Sequence, residues 1–371
     1  MDLNPTGYEY CAWLASAGLP SVRLRYLLGI YHDPYECYQA FMHQEQAFME
    51  TIPARFREVL MLNANPETIA KTRMIMNRKS ICAFHFFDDI YPESLKKIND
   101  PPAILFYQGK VSCLKKRIIA VVGSRAASYS GQSATRKLSH DLSSHGITVI
   151  SGLASGIDAI AHSGCIEGGS PTIAVTGCGL DIVYPSANIK LRDTIIQKGG
   201  LILSEYPPGE KPVGWHFPIR NRIITGIAKA LVLMEAKIRS GSMTSVQHAL
   251  DQGKDVFVYP GDPSSAYFEG NHQLLREGGI YFTSADDIME DLHWLDNPPT
   301  VRQNSDCSAN SAQMTPEAQA VVNALKPGTL GFEKLSAISG LEPSKLLSTL
   351  TILQLNGIIE AIPGKQYQLK R

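Results

Sequence analysis

"RIIAVVGSRAAS", residues 117–128, decides the fold. Ile118 to Val122 are apolar without alternation, and the run stops at Gly123-Ser124. A strand that is apolar at every position is covered on both faces, as in a parallel sheet with helices on either side. A helical segment, "GQSATRKLSHDLSSH" (131–145), follows, and the same grammar then repeats. "GITVISG" (146–152), "PTIAVTGCG" (171–179), "GLILSEY" (200–206), "ALVLMEA" (230–236) and "KDVFVYPG" (254–261) are short apolar runs, most closing at Gly or Ser. Six such strands separated by helices predict an α/β architecture, a Rossmann-like doubly wound parallel sheet.

Residues 1–80 read as helical. "SVRLRYLLGI" (21–30) and "DPYECYQAFMHQEQAFME" (33–50) carry apolar residues at helical spacing, with Asp33 placed as an N-cap before Pro34. "DIYPESLKKINDPPAILFYQGK" (89–110) is Pro-rich and reads as a connector running into one short strand. The sheet domain is assigned to 81–296. "NPPTVRQNSDCSANSAQM" (297–314) is aperiodic and rich in Pro, Ser and Asn, the composition of a linker. Residues 315–371 give three short helices, with Thr315 and Ser344 at N-cap positions, and two strand-like pieces, "GIIEAIP" and "QYQLKR". That order suggests a small winged helix.

No apolar run approaches the roughly 20 residues needed to span a bilayer, so no membrane association is expected. Seven cysteines without CxxC spacing point to a reduced, cytoplasmic protein. The ten histidines are scattered and HExxH is missing, so no metal site is expected. Thirty-five basic residues balance 35 acidic ones, which taken alone argues against nucleic acid. Their distribution says otherwise: residues 101–140 hold Lys110, Lys115, Lys116, Arg117, Arg125, Arg136 and Lys137 and no acid. Residues 211–234 are acid-free as well, although they contain Arg220 and Arg222. A neutral total can hold a basic cleft, and binding follows local potential.

In a doubly wound sheet, ligands bind beyond the carboxyl ends of the strands. Four strand ends carry small residues: "VVGSRAAS", "VISGLASGID", "AVTGCGLD" and "MEAKIRSGSMT". Glycine lets the backbone approach a ligand, and the next helix offers free N–H groups to a phosphate. Arg125 lies inside one turn, and Lys237 and Arg239 lie beside another. GxGxxG is missing after the first strand and no P-loop occurs, so neither a dinucleotide nor a Walker-type site is supported. No cofactor is expected. Cys178 reads as a small buried thiol in preference to a nucleophile, and GxSxG is missing. Asp158, Asp181, Glu205 and Glu235 read as helix caps or arginine partners, and His162 and His216 as structural. Among Tyr129, Tyr184, Tyr206, Trp215 and Phe217, core packing is expected for most. Base stacking is expected for Phe217, three residues before Arg220.

The ordered series "GSRAASYSG" (123–131), "SGLASGIDAIAH" (151–162), "TGCGLDIVYPSAN" (176–188), "SEYPPG" (204–209), "FPIRNRIITG" (217–226), "SGSMTSVQHAL" (240–250) and "VYPGDP" (258–263) resembles the DprA/Smf DNA-processing proteins. "YPESLKKINDPPAILFYQG" (91–109) is similar to that family's lead-in segment. The N-terminal helices look like its SAM-like domain, and the tail looks like its winged helix. The resemblance implies a cytoplasmic homodimer without catalytic residues that binds single-stranded DNA during natural transformation, protects it and loads RecA recombinase on it. Carried over by motif, Gly123, Ser124, Arg125, Arg220, Asn221 and Arg222 would bind phosphate, with Phe217, Ser240, Gly241 and Ser242 as additions.

Two departures bear on this. "GLPSVRL" (18–24) has Pro20 where a helix-hairpin-helix would want glycine, which removes an N–H from a phosphate clamp, so the N-terminal helices are not credited with DNA binding. The recognition-helix segment "SKLLSTLTILQLNG" (344–357) has only Lys345 basic, which suits protein contact better than a major groove. A competing reading is a nucleotide phosphoribohydrolase of the LOG type. Its PGGxGTxxE motif would need a glutamate where this chain has Gln247 or His248. Adjacent arginines on one helix fan apart, so one of Arg220 and Arg222 is expected at DNA and the other at Glu205 or Glu235.

Overall fold

The computed structural model describes residues 7–295, 316–326, 328–355, 358–362 and 366–369. Two compact units result, Met1–Trp294 and Leu295–Arg371. The linker expected over 297–314 and the cap expected at Thr315 lie outside the described residues.

The first unit opens with six helices: α1 (Tyr8–Ser16), α2 (Ser21–Tyr31), α3 (Pro34–Met42), α4 (Gln46–Thr51), α5 (Ala54–Asn63) and α6 (Pro66–Lys79). Side-chain caps fix the starts of α3 and α6. The Asp33 carboxylate accepts the Tyr35 N–H at 2.6 Å with Pro34 at the first helical position. Asn65 does the same for Thr68 at 2.8 Å before Pro66. Such caps each contribute about 1 kcal/mol. Trp13 anchors the cluster, its Nε1–H donating to the Leu60 carbonyl at 3.0 Å. These helices do not keep a core to themselves. Trp13, Leu27 and Phe41 belong to one apolar cluster with Ile104, Phe106, Ala174 and Ile202 of the sheet.

The sheet has nine strands. Two lead in: β1 (Cys82–His85) and, after the single turn α7 (Glu93–Lys96), β2 (Ile104–Gly109). The βαβ series follows as β3 (Ile118–Val122), α8 (Tyr129–Ser144), β4 (Thr148–Ser151), α9 (Ile157–Glu167), β5 (Ile173–Thr176), α10 (Ile189–Gln197) and β6 (Leu201–Ser204). It continues through α11 (His216–Ile227), β7 (Ala230–Leu233), α12 (Gly241–Asp251), β8 (Val256–Val258), α13 (Glu269–Arg276), β9 (Ile280–Tyr281) and α14 (Ala285–Asp291). The spatial order is β1-β2-β6-β5-β4-β3-β7-β8-β9. β3 to β9 pair in parallel, while β2 runs antiparallel to β6 and β1 antiparallel to β2.

All six strands expected from the apolar runs are present. β1 and β9 were not expected: β1 is four residues next to a Pro-rich stretch and β9 is two residues long. Winding goes one way from β3 to β6 and the other way from β7 to β9. The order therefore reverses between β3 and β7, and that switch point is where a doubly wound sheet opens a crevice.

The second unit packs α15 (Pro316–Leu325), α16 (Phe332–Ser339) and α17 (Pro343–Leu355) around Val321, Leu335, Leu346 and Leu350. β10 (Leu330–Gly331), β11 (Ile359–Ile362) and β12 (Gln366–Leu369) form a sheet in the order β10-β12-β11. Three helices with a terminal hairpin are the winged helix expected. Ser344 lies inside α17.

Candidate nucleic-acid interface

The turn after β3 is held against its neighbours by backbone bonds. The Ser124 N–H donates to the Glu235 carbonyl at 2.7 Å, and the Ile157 N–H donates to the Ser124 carbonyl at 3.1 Å. Gly123 is required by this packing: a Cβ there would stand 2.7 Å from Ile157 Cγ1 and 3.0 Å from the Glu235 carbonyl oxygen. Gly156, before α9, has φ +76°, and a Cβ would meet the Arg125 carbonyl oxygen at 2.6 Å. Glu235 is fully buried, and its carboxylate accepts the Ser128 N–H at 3.0 and 3.1 Å as well as the Ser128 hydroxyl. On the other side Asn271 accepts the Ala236 N–H at 2.8 Å and donates to the Met234 and Tyr259 carbonyls at 3.1 and 2.8 Å. Two buried polar side chains thus fix the ends of β3, β7 and β8 relative to one another.

Between these ends lies a cleft of about 520 Å3. Nine of the ten residues singled out from the sequence line it: Gly123, Ser124, Arg125, Phe217, Arg220, Asn221, Ser240, Gly241 and Ser242. Lys237 and Arg239 join them, so four basic side chains face the cleft and Asp158 is the one carboxylate among its lining residues. Arg220 is 3 % exposed. Its Nη1 donates to the Gly152 carbonyl at 2.8 Å, and its Nε has no partner among the described residues. Burial brings the guanidinium down to about 10; Asp158 pulls it back up and Arg125 pushes it further down. It remains a cation at neutral pH. Burial raises the Asp158 carboxyl, against the opposing pull of Arg220 and of the Ala154 and Gly152 N–H groups.

Ser240, the N-cap residue of α12, makes no side-chain cap; its hydroxyl lies 3.0 Å from that of Ser242. The first-turn N–H groups of α12 therefore have no side-chain cap from Ser240, at the positive end of the helix dipole. Two rings stand in the same cleft. The Arg125 guanidinium lies 5.5 Å from the Phe217 centroid, and the Lys237 ammonium 5.2 Å from that of Tyr267. Tyr184 packs on Phe217 with centroids 5.3 Å apart.

Arg222 is not in the cleft. Successive helical residues turn by about 100°, so two positions after Arg220 the side chain leaves on the opposite face of α11. It makes a bidentate pair with Glu205, at 2.7 and 2.8 Å, and lies 3.5 Å from Asp100. Burial would lower its pKa, but Glu205 and Asp100 outweigh that and hold it above the usual arginine value. Glu205 lies outside the acid-free stretch, which is why that stretch suggested an unpaired cation.

Core packing fails as the expectation for three aromatics: Tyr129 is 88 % exposed, Trp215 61 % and Tyr184 44 %. They sit at a helix start and in connections, where neighbouring elements leave much of the ring in solvent. Tyr206 instead stacks on the buried His216 at 3.9 Å. The other acids and histidines do structural work. Asp158 accepts the Gly152 N–H at 3.1 Å, Asp181 accepts the Gly209 N–H at 2.8 Å, and His216 Nδ1 lies 3.1 Å from the Gly177 carbonyl oxygen. Cys178 is buried, and burial pushes its thiol up to about 11. Gln247 and His248 bond to Asp251 and to the Pro218 carbonyl. No group of three or more His, Cys, Asp or Glu placed to hold a metal occurs among the described residues, nor does a helix long and apolar enough to cross a membrane.

Sequence reading missed Tyr267 as a cleft residue. It follows β8 by nine residues, in the 3-10 turn Ala266–Phe268 past the end of the "VYPGDP" stretch, so neither spacing nor composition marks it.

Fold and cleft together define a doubly wound α/β protein with a basic, aromatic-lined crevice at its switch point and an appended winged helix. Residues 83–293 match the family described as DNA recombination-mediator protein A, and residues 306–365 match the DprA winged helix domain. The chain belongs to this DprA/Smf family. It is 43% identical to the DNA processing protein DprA of Streptococcus pneumoniae over 212 residues, 57% of this chain and 74% of that one. It is 35% identical to the protein Smf of Escherichia coli over 76% of each chain. Among solved structures, DNA processing protein A from S. pneumoniae superposes with a TM-score of 0.63 at 35% identity, covering 76% of this chain and 96% of the other. The Helicobacter pylori DNA processing protein A, solved for its single-stranded DNA binding mode, gives a TM-score of 0.52 at 28% identity, covering 57% of this chain and 95% of that one.

Proposed function

We propose that this protein is a single-stranded DNA-binding recombination mediator whose strand runs through the cleft at the β3/β7 switch point. One observation carries the reading. Four basic side chains, Arg125, Arg220, Lys237 and Arg239, and the α12 N-terminus converge on one crevice whose lining holds a single carboxylate, Asp158. Such an excess of positive charge in a cleft calls for an anion, and a phosphodiester meets it. Gly123, Ser124, Asn221, Ser240, Gly241 and Ser242 bring backbone and small polar groups to the same phosphates, and Phe217 offers a ring to a base. Arg222 holds α11 in place and does not touch DNA. The protein acts in the cytoplasm as a homodimer without a catalysed step, and RecA recombinase receives the strand from it. The phosphoribohydrolase reading finds no support, since Asp158 is the one carboxylate lining the cleft and is engaged by backbone N–H groups.

The test is fluorescence anisotropy of labelled oligo-dT, with matched duplex and AMP as competitors, across a salt series. Neutralising Z phosphates of a single strand gives a log–log slope near −0.7Z. Tight, salt-sensitive binding that prefers the single strand and weakens in Arg125→Ala is expected. AMP cleavage, or no preference over duplex, overturns the reading.

A further inference from the structure

The cleft contains a second cation–aromatic pair that mirrors the first, and the pairs belong to different parts of the sheet edge. Phe217 sits over the end of β5: a Cβ on Gly177, the residue after that strand, would be 3.1 Å from its Cδ1. Tyr267 sits on the far side of the switch point, against Lys237 in the segment that follows β7. In the order β5-β4-β3-β7, three strand spacings separate the two ends. At roughly 4.8 Å per spacing those strand ends stand about 14 Å apart. Rings on the two faces of one base stand only about 7 Å apart, twice the roughly 3.4 Å rise per base, so rings carried by these two ends serve different bases.

We infer that Tyr267 is a second base-stacking platform, which takes a different base of the same strand from the one on Phe217. The phosphates between them then pass over Arg220 and the α12 N-terminus. This rests on the single-strand reading of the cleft. Tyr267 is suited to the role: it is 42 % exposed, its ring lines the cleft, and a cation lies above it at 5.2 Å. Lys237 and Arg125 lie over the ring faces. When bases take those faces, the two cations are displaced to the flanking phosphates, so each platform couples one stacked base to one charge contact. The residue recognises a π-face and no particular base, so this end of the cleft accepts any sequence.

The experiment joins affinity to crosslinking. Wild type, Phe217→Ala, Tyr267→Ala, Tyr267→Phe and Lys237→Ala are titrated with labelled oligo-dT over a salt series. Wild type is also irradiated with an oligonucleotide carrying 5-iodouracil, and the adducts are mapped by peptide mass spectrometry. Tyr267→Ala is expected to bind roughly tenfold more weakly with an unchanged salt slope, and Tyr267→Phe to bind as wild type. Lys237→Ala is expected to lose about 0.7 from the slope. Adducts are expected on both Phe217 and Tyr267. Wild-type affinity in Tyr267→Ala, with adducts on Phe217 and none on Tyr267, overturns the second platform and leaves the single-strand reading standing. A wild-type protein that does not bind the oligonucleotide overturns both.

Discussion

Replacing Arg222 by alanine separates its role from that of Arg220, two residues away on the same helix. In the structure the Arg222 side chain is 9 % exposed and Glu205, its bidentate partner, 18 %. The Nε–H also donates to the Asp100 carbonyl at 2.9 Å, and Glu205 accepts the Ser21 hydroxyl at 3.0 Å. Truncation leaves Glu205 largely buried with only that hydroxyl to solvate it. Breaking one side of a buried pair costs about 3–5 kcal/mol; the exposed Asp100 carboxylate adds little, because water replaces its partner. For a unit of this size that loss lowers Tm by on the order of 10 °C. Lysine at 222 recovers only part of it, because an ammonium cannot make the two-pronged contact. Circular dichroism melts would read the stability, and oligo-dT anisotropy well below the melting range would read binding. The expected result is a large drop in Tm with near wild-type affinity. An unchanged Tm with affinity lost would refute the reasoning, and would return Arg222 to the DNA site.

Two further outcomes follow from buried groups. His162 is buried with Nδ1 2.7 Å from Thr172 Oγ1; burial, then Arg220, lowers it to about 3. The unfolded chain takes up this proton near 6.5, so stability is full above that pH and is lost as pH falls toward about 3. Urea unfolding near pH 7 and near pH 5 should show roughly 2 kcal/mol more acid loss in wild type than in His162→Gln; equal losses would contradict the buried neutral imidazole. Cys178, with its thiol pushed up to about 11, should escape iodoacetamide in the native protein near pH 8, with Cys178→Ala binding oligo-dT normally. Prompt alkylation read by mass spectrometry would reopen a nucleophilic role.

The strands were legible because burial on both faces leaves no polar alternation to misread, as in Ile118–Val122 or Leu201–Leu203. The cleft was legible because a parallel sheet brings the turns after its strands to one edge, whatever their separation in sequence. Gly123, Phe217 and Ser240 therefore meet although more than a hundred residues separate the first from the last. Helical phase limited the rest. The stretch from Lys211 to Met234 lacks acids, yet Arg222 finds Glu205 because the two are close in the fold and not in the stretch. Exposure of Tyr129 and Trp215 was hidden for a different reason. An aromatic in a connection looks the same in sequence whether a neighbouring element covers it or not.

The two arginines make α11 the element through which the cleft depends on the rest of the unit. On one face Arg220 reaches the Gly152 carbonyl and the basic crevice. On the other, Arg222, Glu205 and Ser21 tie the same helix to the start of α2, while Arg25 of α2 lies 3.6 Å from Asp100. The N-terminal helices thus bear on the site by fixing the rotation of α11. A rotation of that helix by one residue, about 100°, would swing Arg220 and Phe217 out of the crevice together. The buried ion pair holds that angle, and this is a sufficient physical reason for a charged pair to stand where an apolar one would pack as well.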